Sequence, residues 1–437
     1  MTYRSGVRLP HRALSGLPTR TALLTAAAAL TAPALAVVPA GGAAAAPAGP
    51  AAYKRADQRQ ITYTDWDTGA DFRRGAMRGV VMQKGRLKLG APVASSRLGG
   101  TTYDKGIWTG PWSTPGHAFT ELVASWEAVT PKDSHVVVRV RGRDASGARS
   151  SWDTLARWAA GDAHVKRSTF GRQDDDLASV NVDTWQAKDE LVSYQLRVEL
   201  LRRAGSAARP SFDTVGAVAS RLTGTQATSR PGPGRGIVLP VPRYSQYVHS
   251  GHYPQWGGGG EAWCSPTSTS MVLAYYDALP GPRAYSWVPD GHPDPVVDLA
   301  ARMTYDHEYD GTGNWPFNTA YAATRAGHAF VTRLRSLREA ERFIAAGIPL
   351  VVSVAFGAGE LDGAPISSTN GHLMVIVGFT RSGDVVVNDP AGRSRKQVRR
   401  TYDRGQFEDV WLPTSGGLTY VVRDDAHPLP TGNQTNW

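Results

Sequence analysis

Apolar and polar positions alternate with a period of two through much of the first half of the chain. His135–Arg143 alternates around a valine core and breaks at Asp144–Gly147, a turn. Leu191–Leu200 sets Val192, Tyr194, Leu196 and Val198 against polar partners, and Ala118–Trp126 is a third candidate. This is the period of half-buried strands. Short strands separated by Gly, Asp and Ser turns predict an all-β sandwich, jelly-roll-like, over residues 59–220.

Periodicity stops at residues 221–236, where Pro and Gly alternate near the end of the run, the composition of a linker. Beyond it, over 237–425, the spacing becomes helical. Pro266–Tyr276 reads as a helix, with Ser265 as cap and Ser268, Met271, Val272 and Tyr275 on one face. Phe317–Ala326 is a second, ended by Gly327. Ser336–Ala346 is a third, with Ser336 and Glu339 as a capping box and Gly347 as stop. Strands follow at Pro349–Phe356, His372–Phe379, Val385–Asp389 and Leu418–Arg423, and the turn at Arg381–Asp384 makes a hairpin of the second and third. Helices ahead of an antiparallel sheet predict an α+β domain. Residues 426–437 are left as a C-terminal tail.

Residues 1–20 hold four arginines and no acid, and residues 21–32 are rich in Ala and Leu. Ala34-Leu35-Ala36 then offers small residues at a cleavage site, with a second possible cut at Ala43–Ala46. The pattern predicts a secretory signal over 1–36 and a tether over 37–58. The apolar run is shorter than the ~20 residues that span a bilayer. A secreted, extracellular protein with no membrane span after signal removal is expected. Taking those four arginines from a formal charge of +10 leaves +6, spread out apart from the basic run Arg393–Arg400, which reads as a solvated face. No basic-aromatic stripe is present, so no nucleic acid is expected as partner. Trp66, Trp108, Trp112, Trp126, Trp152, Trp158 and Trp185 in the first domain read as core packing ahead of a sugar-binding face, with cell-wall or glycan contact left open. Asp174–Asp176 reads as a solvated turn ahead of a calcium site.

Cys264 is the only cysteine. An exported chain tolerates a lone thiol best when it is buried and inert or is a working nucleophile. Cys264 immediately precedes a predicted helix, whose N-terminal partial charge stabilises a thiolate. An imidazole beside it would act as base and then acid, with a third polar group to orient the ring. His372 begins one strand of the hairpin and Asp389 ends the other, so the two can meet. Asn388 is the rival third member, since strand alternation sends 388 and 389 to opposite faces. His249 and His252 offer two metal ligands without a third, so no metal and no cofactor are assigned.

The second domain resembles the papain-like cysteine peptidases of the C-39-like group, related to the double-glycine peptidases that process bacteriocins. The resemblance rests on Val241–Gln246, Cys264–Leu273, Asn370–Gly378 and Val387–Pro390, in that order over about 180 residues. It implies a papain-like fold, with Cys264 as nucleophile, His372 as general base and acid, Asp389 as orienting residue and Gln246 as an oxyanion donor. Gln255 is the alternative for the last role. The family's usual residue after the cysteine is glycine, and here it is Ser265. A secreted cysteine peptidase acting on a peptide or protein substrate is the expectation. A thiol amidase or endopeptidase of peptidoglycan stems is a second reading, although such enzymes usually have less chain between Cys and His than the 108 positions here. A catalytically inactive surface-binding protein is a third. The Gly257–Gly260 run reads as a flexible approach to the site.

Overall fold

The computed structural model describes residues 59–174, 176–222 and 227–437. The expected export signal (1–36), the tether (37–58), Asp175 and residues 223–226 of the linker lie outside the described residues. Among the described residues, no helix is long and apolar enough to cross a membrane.

In the first domain the alternation is realised as paired strands. Ser134–Arg143 and Ser193–Arg203 run antiparallel, with Val138 opposite Val198 and Val140 opposite Leu196. All four side chains point inward and are buried. The described strands of this domain form two seven-stranded sheets. One has Phe119–Val129 and Ser211–Arg221 at its centre, the other Ser134–Arg143 and Ser193–Arg203. Their inner faces share one core, and Trp66, Trp108, Trp126, Trp158 and Trp185 are buried in it. Those five tryptophans are packing, as expected. Trp112 and Trp152 lie outside the core and stack against arginines, with Arg143 4.2 Å from the Trp112 ring centre and Arg197 4.0 Å from that of Trp152.

The second domain is built on a six-stranded antiparallel sheet. Its order is His328–Arg333, Leu418–Arg423, Leu350–Phe356, Thr369–Phe379, Val385–Asn388, Arg399–Tyr402. Burial is nearly continuous along the two central strands, because helices cover the sheet. The predicted hairpin forms, with Val375 opposite Asn388 and Ile376 opposite Val387.

Two helix caps differ from expectation. The helix Cys264–Tyr275 starts at the cysteine itself, and Ser265 lies inside it. Ser265 through Leu273 are all buried, so the helix has no solvent face. It runs through the interior against the sheet and against Pro295–Thr304 and Trp315–Ala326. The Ser265 hydroxyl hydrogen-bonds Tyr420 at 3.1 Å instead of capping. Ser336 does precede Leu337–Ala345, but its hydroxyl makes no cap bond. Glu339 accepts from the Arg335 backbone N–H and guanidinium, so the capping box stays open.

The Pro/Gly run is docked rather than slack. The Ser229 N–H and hydroxyl both donate to Glu408, and the Gly232 and Gly234 N–H groups donate to Glu341. Arg404, paired with Glu341 at 2.7 Å, also donates to Ser229 O. The tail is tied down as well: Thr435 O accepts from Tyr63 N–H at 2.7 Å, and Trp437 packs edge-on against Phe343.

Contacts between the domains are apolar and ionic together. Phe317 and Ala320 of the second domain sit in the core of the first, with Phe317 edge-on to Trp126. Around them, Arg302 pairs with Asp162 at 2.6 Å, and Asp306 accepts from Thr169 N–H and hydroxyl.

Candidate active site

Three elements bring the predicted chemistry together. Cys264 opens the buried helix, where the first backbone N–H groups have no intrahelical acceptor and the helix dipole favours negative charge. His372 lies near the start of the Thr369–Phe379 strand, opposite Val354, beside a register shift in the neighbouring strand. Asp389 follows the last residue of Val385–Asn388, next in the sheet. His372 Nε2 donates to Asp389 Oδ1 at 2.8 Å. The same oxygen accepts the Ala391 N–H, and Oδ2 accepts the Tyr402 hydroxyl at 2.8 Å. With Nε2 so engaged, Nδ1 is left for the thiol, and the ring and Cys264 act on each other's protonation in opposite directions.

Burial and neighbours oppose each other at each group. Desolvation alone would raise the Cys264 thiol. The hydrogen bond and charge of His372, with backbone hydrogen bonds at Leu373 and Ser265, outweigh it and hold the thiol below its ordinary value. Desolvation alone would lower His372, but the charge and hydrogen bond of Asp389, then Cys264, push it well above the ordinary histidine value. Asp389 is held below the usual carboxylate range in spite of its burial, by His372 first and then by Tyr402 and Ala391. The thiol and the imidazole therefore favour the thiolate–imidazolium pair.

Cys264, His372 and Gln246 open on a cleft of about 820 Å³. Gln246 is buried, and its Nε2 donates to Glu261 O at 2.5 Å. Its backbone N–H bonds Pro390 O, which ties it to the Asp389 segment. Gln255 is exposed and does not line the cleft. Asn388 points the other way from Asp389, donating to Val241 O and Pro242 O and accepting from Arg399. Ser265 does not line the cleft either, since its side chain is buried against Tyr420.

Residues 62–220 match the family model described as the peptidase C39 N-terminal domain, and residues 238–418 match that of the peptidase C39 like family. The second domain is a C39-like peptidase domain, and the first is the N-terminal domain that goes with that group. No curated protein matches it. A chain from the crystal structure of accessory secretory protein 1,2 and 3 in Streptococcus pneumoniae is similar at 15% identity, over 38% of this chain and 98% of that one. Its TM-score is 0.18, too low to bear on fold or function.

The C39-like domain carries two supports that the sequence pattern does not single out. Tyr402, on the edge strand, supplies a hydroxyl to Asp389. Asp298, on the helix Pro295–Thr304, takes a hydrogen bond from each of His249 and His252, at 3.1 and 2.8 Å, one on each oxygen. The three donor atoms lie within 4.8 Å of one another, so Asp298 is the third group that the histidine pair lacked. His249 closes the short helical turn that begins with Gln246, and the Asp298 bridge fixes that turn to the domain. The Gly257–Gly260 run is a defined turn. Gly257, Gly258 and Gly259 hold φ of +67°, +91° and +100°, and a Cβ on Gly260 would meet His249 O at 2.2 Å.

Proposed function

We propose that the protein is an exported cysteine peptidase that hydrolyses peptide bonds through an acyl-enzyme. The observation that carries this reading is the His372 ring held between Asp389 and Cys264 at the wall of a cleft. In it, the Cys264 thiolate attacks the peptide carbonyl carbon, and the carbonyl oxygen takes the negative charge. The Gln246 amide and the N–H groups at the start of the Cys264 helix receive that oxyanion. The C–N bond breaks as His372 gives its Nδ1 proton to the leaving amine, which leaves a thioester. His372 then takes a proton from water, the resulting hydroxide attacks the thioester, and Cys264 departs as thiolate with release of the carboxylic acid. Asp389 orients the ring and stabilises its cation throughout. A thiol at the head of a buried helix, packed on an antiparallel sheet with His and Asp on adjacent strands, supports a papain-like fold. The signal pattern of residues 1–36 supports export. A peptide or protein is the substrate in this reading.

The test is alkylation of the folded protein by iodoacetamide across pH 4 to 9, beside His372→Ala. Rapid reaction at pH 6, lost in the variant, is the expected result. A slow reaction rising only near the unperturbed thiol value of about 8.5 would overturn the proposal and favour a surface-binding protein without activity. Digestion of casein-like protein against purified cell wall separates the peptidase from a peptidoglycan-cleaving enzyme.

A further inference from the structure

One wall of the cleft belongs to the first domain. Ala178–Asn181 and Thr184–Leu191 form a hairpin, and its tip, Asn181 to Thr184, lines the same cleft as Cys264 and His372. Val182 at that tip holds φ of +54°, a left-handed conformation in which a β-branched side chain is strained. The tip is pinned there: the Asp183 carboxylate accepts the backbone N–H of Trp315, the first residue of Trp315–Ala326, at 3.0 Å. The first domain thus holds a strained turn against the cleft.

Outside the Cys264–His372 pair, the charged residues around the cleft are mainly acidic. Among the described residues lining it, Arg333 is the only Lys or Arg, and it is paired with Glu121 at 2.6 Å. Asp183, Glu261 and Asp310 also line it, and they take their hydrogen bonds from neutral donors: Trp315 N–H, the Ser250 hydroxyl and the Tyr305 hydroxyl. Desolvation lifts the Asp183 carboxyl to about 7, against the pull of the Trp315 N–H. A carboxylate so placed gains most from an incoming cation, because little water competes.

We infer that Asp183 is a specificity residue that receives a cationic group of the peptide substrate, a basic side chain or a free α-amine, on the wall supplied by the first domain. The inference rests on the peptidase reading above. Its test uses peptidyl vinyl sulfones on the full chain. One set is acetylated and carries lysine scanned along the peptide, a second has a free amino terminus and norleucine, and a third is acetylated with norleucine. Labelling of Cys264 by each is compared with labelling by iodoacetamide, in the wild type and in Asp183→Asn. The Asn side chain keeps an acceptor for the Trp315 N–H. The expected result is a preference of about tenfold for a cationic probe over the neutral one, which falls to about one in the variant. Iodoacetamide rates and melting temperature stay the same. Preference for the lysine probes identifies a side chain as the cation, and preference for the free-amine probe identifies the amino terminus. Peptidyl labelling without charge preference, or a preference that survives Asp183→Asn, overturns the inference. Labelling of the wild type by iodoacetamide but by none of the peptidyl probes would instead bring down the peptidase reading, and this inference with it.

Discussion

His372 and Asp389 set opposite limits on pH. The folded-state pKa of His372 is raised, so its stabilising contribution is full below about pH 6.5 and is lost as pH rises through the raised value. Asp389 is depressed, so its contribution is full above about pH 4 and is lost as pH falls through the lowered value. Both are in force across the neutral range, and the proposed mechanism, in which the pair rests there as thiolate and imidazolium, predicts a plateau over that range in a pH-rate profile of alkylation. Ser265 bears on the same site differently. Its hydroxyl is turned to Tyr420 and away from the cleft, so Ser265→Ala should leave the alkylation rate within about twofold. It should lower stability by about 1 kcal/mol, since Tyr420 loses a buried partner. Denaturant titration and iodoacetamide kinetics on the one variant check both, and a large change in rate would mean that residue 265 does shape the thiolate's surroundings. The meeting of Cys264, His372 and Asp389 was legible in the sequence because each residue sits beside a strong local signal: a helix start, a strand start and a hairpin end. Tyr402 and Asp298 were not, since a donor from an edge strand and a carboxylate from another helix leave no mark near the residues they serve.

At the scale of elements, the turn before the nucleophile is held by close approach. Gly258 needs only its backbone conformation, with φ of +91° and open space around the missing Cβ. Gly260 has an ordinary φ, but its missing Cβ would overlap His249 O, in the turn that carries Gln246. Gly258→Ala should therefore lower stability by about 1 to 2 kcal/mol, the steric term of a left-handed residue. Gly260→Ala should lower it by about 3 kcal/mol, as overpacking does, and should reduce turnover as well by shifting Gln246. Equal effects of the two on stability would contradict this division. The sequence showed four glycines and suggested slack. A run of glycine reads the same whether the chain needs freedom or proximity, and only the neighbouring His249 backbone decides. The hairpin of Thr369–Phe379 and Val385–Asn388 was easier, because its alternation and its turn agree. The helix at Cys264 was found, but the single buried face expected of Ser268, Met271, Val272 and Tyr275 was not, since Ser265 through Leu273 are buried all round and such a helix carries no amphipathic pattern.

The molecule as a whole behaves as one packed body over the described residues of its two domains. The sequence divides at a Pro/Gly run, and composition alone suggests two domains on a tether. The structure docks the described part of that run onto Glu341 and Glu408 and inserts Phe317 of the second domain into the core of the first. Pairing of Trp126 with Phe317 joins residues almost two hundred positions apart, which no local pattern announces. The two domains should then unfold together. Far-UV circular dichroism and exposure of Cys264 to a thiol reagent should report a single, coincident transition in urea. Trp126→Ala should move both probes by the same amount, about 3 to 5 kcal/mol, because the side chain is buried where the two cores meet. Two separated transitions, or a Trp126→Ala effect confined to circular dichroism with Cys264 protection unchanged, would show that the peptidase domain stands alone. The hairpin tip at Asp183 would then be an occasional neighbour of the cleft and not its wall. A single transition supports the converse: the first domain is required for the cleft to have its shape, and stability and specificity reside in the same interface.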